Sequence, residues 1–508
     1  RSSGQLLFHS AAGTLRIRSQ ADPANGRATL NVGNITMNTG VNSLLHLLDT
    51  TGHFADLRFS TMTIGARAST GTIASGNVTG EFRFDTGTLD ADNLIAGSRS
   101  GTASNPAATG SGVVSLRGGT VSINNTSGPV QLGANTFTNG TGSGTLHISG
   151  GTVNVAAHGG NSILLGNATV AGGTATGMLN LTGGTLTVAG HILRGATTGT
   201  SQATLALNGA ILDMGGNHIT GLTGITYSSG TLKNLGIVNT GMTLAGAGSR
   251  VIDQAAGVTG EIQGIITAGG IGLAKTGSGT LILSGANNYS GPTDVNQGTL
   301  ALVGAGMASP VTVASGASLA FTLGSPASST SSVNLTHGTV KISGTVDNAT
   351  SYTLISASGG ITGTPVLDAA IPNYTLKILD AGSKLVLAYV GGGYDSWAAE
   401  NAGGQGPELD FDLDGVTNGV EYFLNAPPGF TANPQLDASN TITWTNGGNI
   451  PASEYGTQFV VQTSGNLVDW SGIPAAELST NTDGPGGSLS YTLAGPAPRF
   501  VRLKVTPE

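Results

Sequence analysis

The stretch that decides the fold is Gly119-Thr120-Val121-Ser122-Ile123, because similar stretches recur along the chain at nearly constant spacing. Before each copy stand two apolar residues separated by one other residue, as in Val114-Ser115-Leu116. The opening glycines are 32, 32 and 33 residues apart, at Gly87, Gly119, Gly151 and Gly184. A degenerate copy follows at 205–214. A repeat of this length indicates a stacked architecture, in which no single unit can bury its apolar face alone.

A third short apolar run that ends in glycine completes each unit. The four runs are 94–97, 130–133, 163–166 and 192–195. Three short strands per period predict one turn of a parallel β-helix, with alternate side chains pointing inward and outward and with glycine supplying positive φ at the corners. We therefore predict an all-β solenoid over residues 1–390, with about 12 turns of about 30 residues. The alternative is an array of separate β-sandwich domains, which the aromatic content of 5% disfavours.

The composition of the 508 residues supports an exported β-protein and excludes several other classes. Charged residues make up 9% and the chain contains 84 Gly and no Cys, so disulfide frameworks and thiolate metal sites are excluded. Residues 391–508 hold 13 acids and 3 bases, whereas residues 1–390 hold 14 acids and 16 bases. We expect no nucleic-acid partner, because no cluster of Lys and Arg is present, and no membrane-spanning segment, because the apolar runs are too short.

One segment resembles a known family. Residues 271–302 contain Lys275-Thr-Gly277-Ser-Gly279-Thr-Leu281, then Ser284-Gly285-Ala-Asn287-Asn-Tyr289-Ser-Gly291, then Val295-Asn-Gln-Gly298-Thr-Leu300. This pattern is similar throughout to the autotransporter-associated β-strand repeat, also called the passenger-associated transport repeat. The resemblance implies that the β-helix is right-handed and that the protein is secreted or displayed on a bacterial surface.

Residues 410–421 fit a twelve-residue calcium loop of the form Asp-x-Asp-x-Asp-Gly-x5-Glu. This pattern provides alternating carboxylates, a glycine for the sharp turn, a backbone carbonyl, a water-mediated position and a final bidentate carboxylate. We expect calcium as the cofactor, held by Asp410, Asp412, Asp414, the carbonyl of Val416, Asn418 and Glu421. Short helices are predicted at 394–401 and 420–424. The alternative is that 391–434 is only an acidic, solvated linker.

Residues 435–508 are predicted to form a small C-terminal β-sandwich. Candidate strands are 441–445, 458–463, 489–493 and 499–505, and four aromatic residues are expected to fill the core: Trp444, Phe459, Trp470 and Phe500. The stretch resembles terminal domains of large bacterial surface proteins in its segments 464–470 and 499–503.

The sequence favours a structural protein over an enzyme. Residues 1–390 contain only two Glu, Glu81 and Glu261, and the nearest acidic pair, Asp90 and Asp92, is explained by a solvated turn. Paired carboxylates in a groove, as glycoside-cleaving chemistry requires, are therefore not indicated. The rival class is a polysaccharide-degrading enzyme, since parallel β-helices host many of these.

We expect an extracellular structural protein of a bacterial surface. The strand pattern already starts at Leu15-Arg16-Ile17, and the edge of such a strand can accept another strand. Self-association is therefore predicted, either head to tail into filaments or by stacking of edges. A monomeric stalk and a carbohydrate-binding adhesin, with surface glycans as partners, are the alternatives.

Overall fold

The computed structural model describes residues 5–7, 13–37, 44–69, 76–101, 108–347, 350–390, 393–426, 429, 431–482, 486–493 and 500–507. The chain forms two compact units. The first consists of Arg1–Ser343, Ile355–Val366 and Asp380–Lys384, and the second of Gly344–Leu354, Leu367–Leu379 and Leu385–Glu508.

The first unit is a right-handed parallel β-helix, which confirms the predicted fold class. One sheet network joins 33 of the 37 described strands up to residue 367, and the other four belong to a separate six-stranded sheet. In chain order the strands up to residue 367 are β1 (Gln5–Leu7), β2 (Thr14–Ile17), β3 (Ala28–Met37), β4 (Leu44–Asp49), β5 (Phe54–Ser69), β6 (Val78–Phe84), β7 (Thr86–Ala91), β8 (Leu94–Gly101), β9 (Thr109–Leu116), β10 (Thr120–Ile123), β11 (Val130–Asn135), β12 (Thr141–Val155), β13 (Asn161–Ala168), β14 (Thr174–Val188), β15 (His191–Arg194), β16 (Thr200–Asp213), β17 (Ile219–Thr220), β18 (Gly224–Lys233), β19 (Ile237–Val238), β20 (Met242–Leu244), β21 (Arg250–Asp253), β22 (Thr259–Ile262), β23 (Ile266–Thr267), β24 (Leu273–Thr276), β25 (Thr280–Leu283), β26 (Ala286–Asn287), β27 (Thr293–Val295), β28 (Thr299–Leu302), β29 (Gly306–Met307), β30 (Val311–Val313), β31 (Ser318–Thr322), β32 (Ala327–Ser329), β33 (Val333–Asn334), β34 (Thr339–Ser343), β35 (Tyr352–Ala357), β36 (Ile361–Thr362) and β37 (Val366–Leu367).

The core of the first unit consists of ladders of inward-facing side chains from successive turns. Because side chains alternate along each strand, parallel pairing in register places like beside like. One ladder, which we call the central ladder, follows strand pairings from β5 to β30, and all its members are at most 2% exposed. Its members are Leu57, Leu89, Val121, Val153, Leu186, Leu212, Leu232, Ile252, Lys275, Val295 and Val313.

The turns do not keep the predicted length of about 30 residues. Paired positions are 33 residues apart from Thr152 to Thr185, but only 20 apart from Ile211 to Thr231 and 18 apart from Asp294 to Thr312. In the longer turns, strands such as β12 and β14 have 15 residues and include two of the short strands expected from the sequence. β12 and β14 pair with a register shift between Ile148 and Thr152. After β18 every strand has six residues or fewer, so a turn needs less chain.

Glycine is required at the corners where two segments approach closely. Gly133 has a φ of 70°, and a Cβ at this position would lie 2.0 Å from the carbonyl oxygen of Thr176. A side chain there would meet backbone that cannot move away. This accounts for the glycine that ends each third run of the repeat.

The second unit contains two three-stranded antiparallel sheets, which form the small sandwich. One joins Thr441–Asn446, Gly487–Thr492 and Thr480–Asn481, and the other joins Ser471–Gly472, Phe459–Ser464 and Phe500–Val505. Short 3-10 helices occur at Asp380–Gly382, Ala452–Glu454 and Ala475–Glu477. The other elements after residue 367 are β38 (Tyr374–Leu379), β39 (Lys384–Tyr389), α1 (Gly393–Asn401), α2 (Asn418–Leu424), β40 (Thr441–Asn446), β41 (Phe459–Ser464), β42 (Ser471–Gly472), β43 (Thr480–Asn481), β44 (Gly487–Thr492) and β45 (Phe500–Val505).

The helices and the sandwich strands share one apolar core, so the segment predicted as a linker is packed against the strands. Phe423 of α2 lies 4.9 Å, between ring centroids, from Phe459 of β41, and Trp444 is 1% exposed in the same core. Two of the expected core aromatics are elsewhere. Phe500 is 40% exposed. Trp470 is half-buried, and Cζ of the Arg502 guanidinium lies 4.1 Å from the centroid of its ring.

Candidate metal site

Three carboxylates converge in the loop that leads into α2. One oxygen each of Asp410, Asp412 and Asp414 can be chosen so that all lie within 4.8 Å of one another. In the part of the chain that the structure describes, this is the only group of three or more such side chains. Gly415, with a φ of 92°, makes the sharp turn after them. The spacing of two residues in the sequence thus brings the three aspartates together.

Backbone N–H groups orient these carboxylates. Gly415 donates to Asp410 Oδ2 at 2.8 Å, and Val416 donates to Asp414 Oδ1 at 2.8 Å. A second segment contributes as well, since Gly429 N–H donates to Asp412 Oδ2 at 2.8 Å. Each of the three carboxylates therefore accepts at least one hydrogen bond from a backbone N–H group.

Glu421 occupies the last position of the loop and is only 3% exposed. Its Oε1 accepts a hydrogen bond from the Thr431 hydroxyl at 2.9 Å, and the N–H of the same threonine donates to Asp414 Oδ2. Burial raises the pKa of Glu421 above its ordinary value. The bond from Thr431 opposes this, and the negative charges of the three aspartates raise the pKa further. Four carboxyl groups are therefore electrostatically coupled in this loop.

The side chains of the two remaining predicted residues, Asn418 and Val416, are buried. Asn418 is fully buried, and its side chain joins two parts of the loop: Oδ1 accepts from Phe411 N–H at 2.9 Å, while Nδ2 donates to the Gly406 carbonyl at 3.0 Å. The Asn418 side chain thus closes the loop by hydrogen bonds with backbone groups. The side chain of Val416 is 5% exposed in the core, which anchors the loop to the sandwich.

Sequence reasoning missed Thr431 and the backbone of Gly429. Both lie beyond Glu421, outside the twelve-residue motif, and contribute through a backbone N–H or a single hydroxyl. A motif search has no signal for such contacts, because any residue supplies the N–H and the chain must fold back to bring it there.

The acidic pairs of the first unit are engaged in ion pairs. Arg27 lies between Asp90 and Asp92, with Nη2 2.7 Å from Asp90 Oδ2 and Nη1 3.3 Å from Asp92 Oδ1. This corrects the expectation of a merely solvated turn. Arg83 likewise pairs with Glu81 at 2.6 Å.

His147 points outward from β12, as expected, and its Nδ1 is 2.9 Å from the Asn180 amide of the next turn.

Several polar residues of segment 271–302 are buried inside the stack. Lys275 belongs to the central ladder, is fully buried and donates from Nζ to the carbonyls of Thr276, Gly277 and Gln297 at 2.7, 2.7 and 3.1 Å. The hydroxyl of Tyr289, also fully buried, lies 2.6 Å from Thr293 Oγ1. These side chains satisfy polar groups of their own turn and, for Lys275, of the next turn as well.

Comparison with known proteins supports this assignment of the repeat. Residues 273–302 match the passenger-associated-transport-repeat family, so the chain contains such a repeat, as predicted. Repeats of this family point to a passenger domain of a bacterial surface protein. No curated protein and no solved structure matches the chain. Within the described ranges, no helix is long and apolar enough to cross a membrane.

Proposed function

We propose that this chain is an extracellular structural protein of a bacterial surface, in which a β-helical unit is joined to a unit folded around a calcium ion. The match to a passenger-associated transport repeat supports the surface location. The use of polar groups in the first unit supports a structural role: Arg27, Arg83 and Lys275 bind to other turns of the stack.

The observation that carries the calcium proposal is the convergence of Asp410, Asp412 and Asp414 beside the buried Glu421. Residues 391–508 contain only 3 bases against 13 acids, so basic side chains are scarce in this part of the chain. Carboxylate oxygens from several residues are the ligands that calcium prefers. When bound, the ion would supply the positive charge that offsets repulsion among these groups.

The residues of the loop then divide into two roles. Asp410, Asp412, Asp414 and Glu421 would hold the ion, while Asn418 keeps the loop closed by its backbone hydrogen bonds. Because Val416 and Val420 pack into the core of the second unit, fixing the loop also stabilises that core. Calcium is therefore proposed as a structural ion for the second unit, without a catalytic role.

Thermal unfolding of the full chain tests this proposal. Calcium should raise the unfolding temperature of the second unit in proportion to the logarithm of its concentration, because it binds the folded state. Asp412→Asn should remove this response. Glu400→Gln, which removes one exposed carboxylate from α1 of the same unit, is the matched control and should keep it. Equal calcium responses in wild type and Asp412→Asn would refute the site.

Self-assembly is a further part of the proposed structural role. Strand β1 pairs with β4, and β2 and β3 pair with β5; among the described strands, none pairs with their other edges. Such an edge can accept a strand from a second copy. Electron microscopy of the full chain at micromolar concentration should show filaments. Filaments that persist without residues 391–508 would exclude head-to-tail contacts but allow edge stacking, and separate single particles would refute both.

A glycan-binding adhesin is the second candidate. Thr88, Thr120 and Thr152 are exposed and paired in register on consecutive turns, so they form a row of hydroxyl groups that could meet a polysaccharide. A glycan array should then show binding that is lost in Thr120→Val. Unchanged binding in that variant, or no binding at all, would exclude this surface.

A further inference from the structure

Two arginines lie inside the first unit on adjacent turns. Arg67 of β5 is paired in register with Arg99 of β8, and their exposed fractions are 0% and 1%. The next turn has Asn135 of β11 at the same position, also fully buried. Each of these three residues follows, two positions later, the glycine that ends a third apolar run.

Asn135 shows how this position is normally satisfied. Its Nδ2 donates to the carbonyls of Gly140 and Thr174 at 2.8 and 3.0 Å, and its Oδ1 accepts from Phe137 N–H at 2.8 Å. The asparagine thus joins its own corner to the following strand. A short amide matches the backbone groups available there.

The arginines are held differently. Arg99 donates from Nη1 to the Ser100 carbonyl at 2.7 Å, and its guanidinium lies 4.5 Å from the centroid of the Phe137 ring. Among the residues that the structure describes, none forms a hydrogen bond with the three guanidinium nitrogens of Arg67. A fully buried guanidinium with no acceptor is costly, because it has left water without replacing its hydrogen bonds.

A guanidinium cannot relieve this cost by losing its proton under ordinary conditions. Burial lowers the pKa of Arg67, and burial together with the positive charge of Arg67 lowers the pKa of Arg99. Carboxylates near in sequence are engaged elsewhere: Asp56 pairs with Arg18 at 2.5 Å, and Asp49 pairs with Arg83 at 3.2 Å. Across the described residues, no carboxylate forms an ion pair with Arg67.

We propose that Arg67 and Arg99 bind a small inorganic anion inside the first unit. An anion at this position would accept hydrogen bonds from the unsatisfied nitrogens of Arg67 and would offset the repulsion between two like charges on adjacent turns. The planar fork of a guanidinium suits oxyanions, with which it forms paired, charge-assisted hydrogen bonds. Chloride fits the same need as a single acceptor. Because both side chains are almost completely buried, we propose a small ion and not a larger ligand.

The first test measures the unfolding temperature of the full chain as a function of anion concentration, at constant ionic strength with gluconate as the bulky reference anion. Chloride or sulfate should raise the midpoint of the wild type with the logarithm of concentration, and the difference between the two identifies the preferred ion. Arg67→Met should lose this dependence. Arg58→Met, on the outward side of the same strand, should retain it.

The control variant is necessary because sulfate stabilises most proteins through exclusion from their surface. A response that is equal in the wild type and in Arg67→Met would therefore overturn the proposal. So would an Arg67→Met variant that is more stable than the wild type at every anion concentration.

The second test does not depend on how a variant folds. Crystals of the wild-type protein grown in bromide should show anomalous scattering between the guanidinium groups of Arg67 and Arg99. An empty position there at high bromide, together with the absence of a sulfate density in sulfate-grown crystals, would overturn the proposal.

Discussion

Replacement of Lys275 by methionine tests how the central ladder tolerates a charge. Lys275 takes the place of an aliphatic residue between Ile252 and Val295 on the neighbouring turns, and it is fully buried. Methionine has nearly the same length and no charge, so Lys275→Met keeps the packing of the ladder. It removes the ammonium and the three hydrogen bonds that the ammonium donates to backbone carbonyls.

Two opposing contributions set the magnitude. Burial lowers the pKa of Lys275 to about 8 from an ordinary 10.5, so the charged form costs about 3 kcal/mol at neutral pH. Against this, the methionine leaves the carbonyls of Gly277 and Gln297 without the ammonium, at about 1–3 kcal/mol for each. Thr276 still accepts from Gln254 N–H at 3.1 Å. At pH 7 we expect a net destabilisation of at most about 3 kcal/mol.

The dependence on pH separates these contributions. Because the folded pKa of Lys275 is below the unfolded value, the unfolded chain binds more protons between about pH 8 and 10.5. The stability contributed by Lys275 therefore rises with pH through that window. Lys275→Met has no such group, so the difference in unfolding free energy between wild type and variant should grow by about 2–3 kcal/mol from pH 7 to pH 10.

Unfolding in guanidinium chloride, followed by far-ultraviolet circular dichroism at several pH values between about 7 and 10, measures this difference in free energy. Lys233→Met controls for the loss of a positive charge, since the Lys233 ammonium is partly exposed, 3.6 Å from Asp253. If the free-energy difference for Lys275→Met stays constant across the range, the ammonium does not carry the desolvation cost assigned to it and the reasoning fails.

Three further predictions concern the first unit. Leu165→Asp should destabilise the stack by about 3–5 kcal/mol, because an unpaired charge would enter a fully buried ladder, and a thermal melt with an unchanged midpoint would contradict this. Gly133→Ala should lower the melting temperature more than Gly159→Ala, since both glycines have positive φ but only the first would place a Cβ against backbone; equal effects would show that φ alone decides. Stability should fall as pH drops below about 6.5, because burial and the neighbouring His218 lower the pKa of His191 and the unfolded chain binds the proton more readily. His191→Gln should weaken this acid response in pH-dependent unfolding, and an identical acid response in the variant would contradict it.

The fold was predictable where the repeat is regular and became less so where the turns shorten. Between Gly87 and Gly184 each turn has the same number of residues to within one, so the spacing itself reveals the stack. Beyond Thr185 the paired positions are separated by varying lengths. A strand of two to four residues carries too little alternation to be read from the sequence. Pairing there depends on contact with the previous turn.

The candidate metal site was predictable to the extent that its groups lie in one short loop. Spacing of two residues brings the carboxylates of Asp410, Asp412 and Asp414 to one side. It could not show that Asn418 would bond to the backbone of its own loop, since asparagine serves equally as ligand or as brace. The position of Thr431 depends on the path of the chain after α2, which no local pattern determines.

Lys275 and Asn135 show how the first unit accepts an inward polar side chain, and Arg67 differs from both. Lys275 and Asn135 each lie where several backbone carbonyls converge. The Lys275 ammonium donates to three of these carbonyls, and the Asn135 amide donates to two. A turn of the β-helix can therefore accept a polar or charged side chain inside, provided that its corner presents enough acceptors. Arg99 meets this condition in part, through the carbonyl of Ser100. Within the described part of the chain, no acceptor is bonded to any guanidinium nitrogen of Arg67. Backbone carbonyls thus do for the lysine what a diffusible anion would have to do for Arg67.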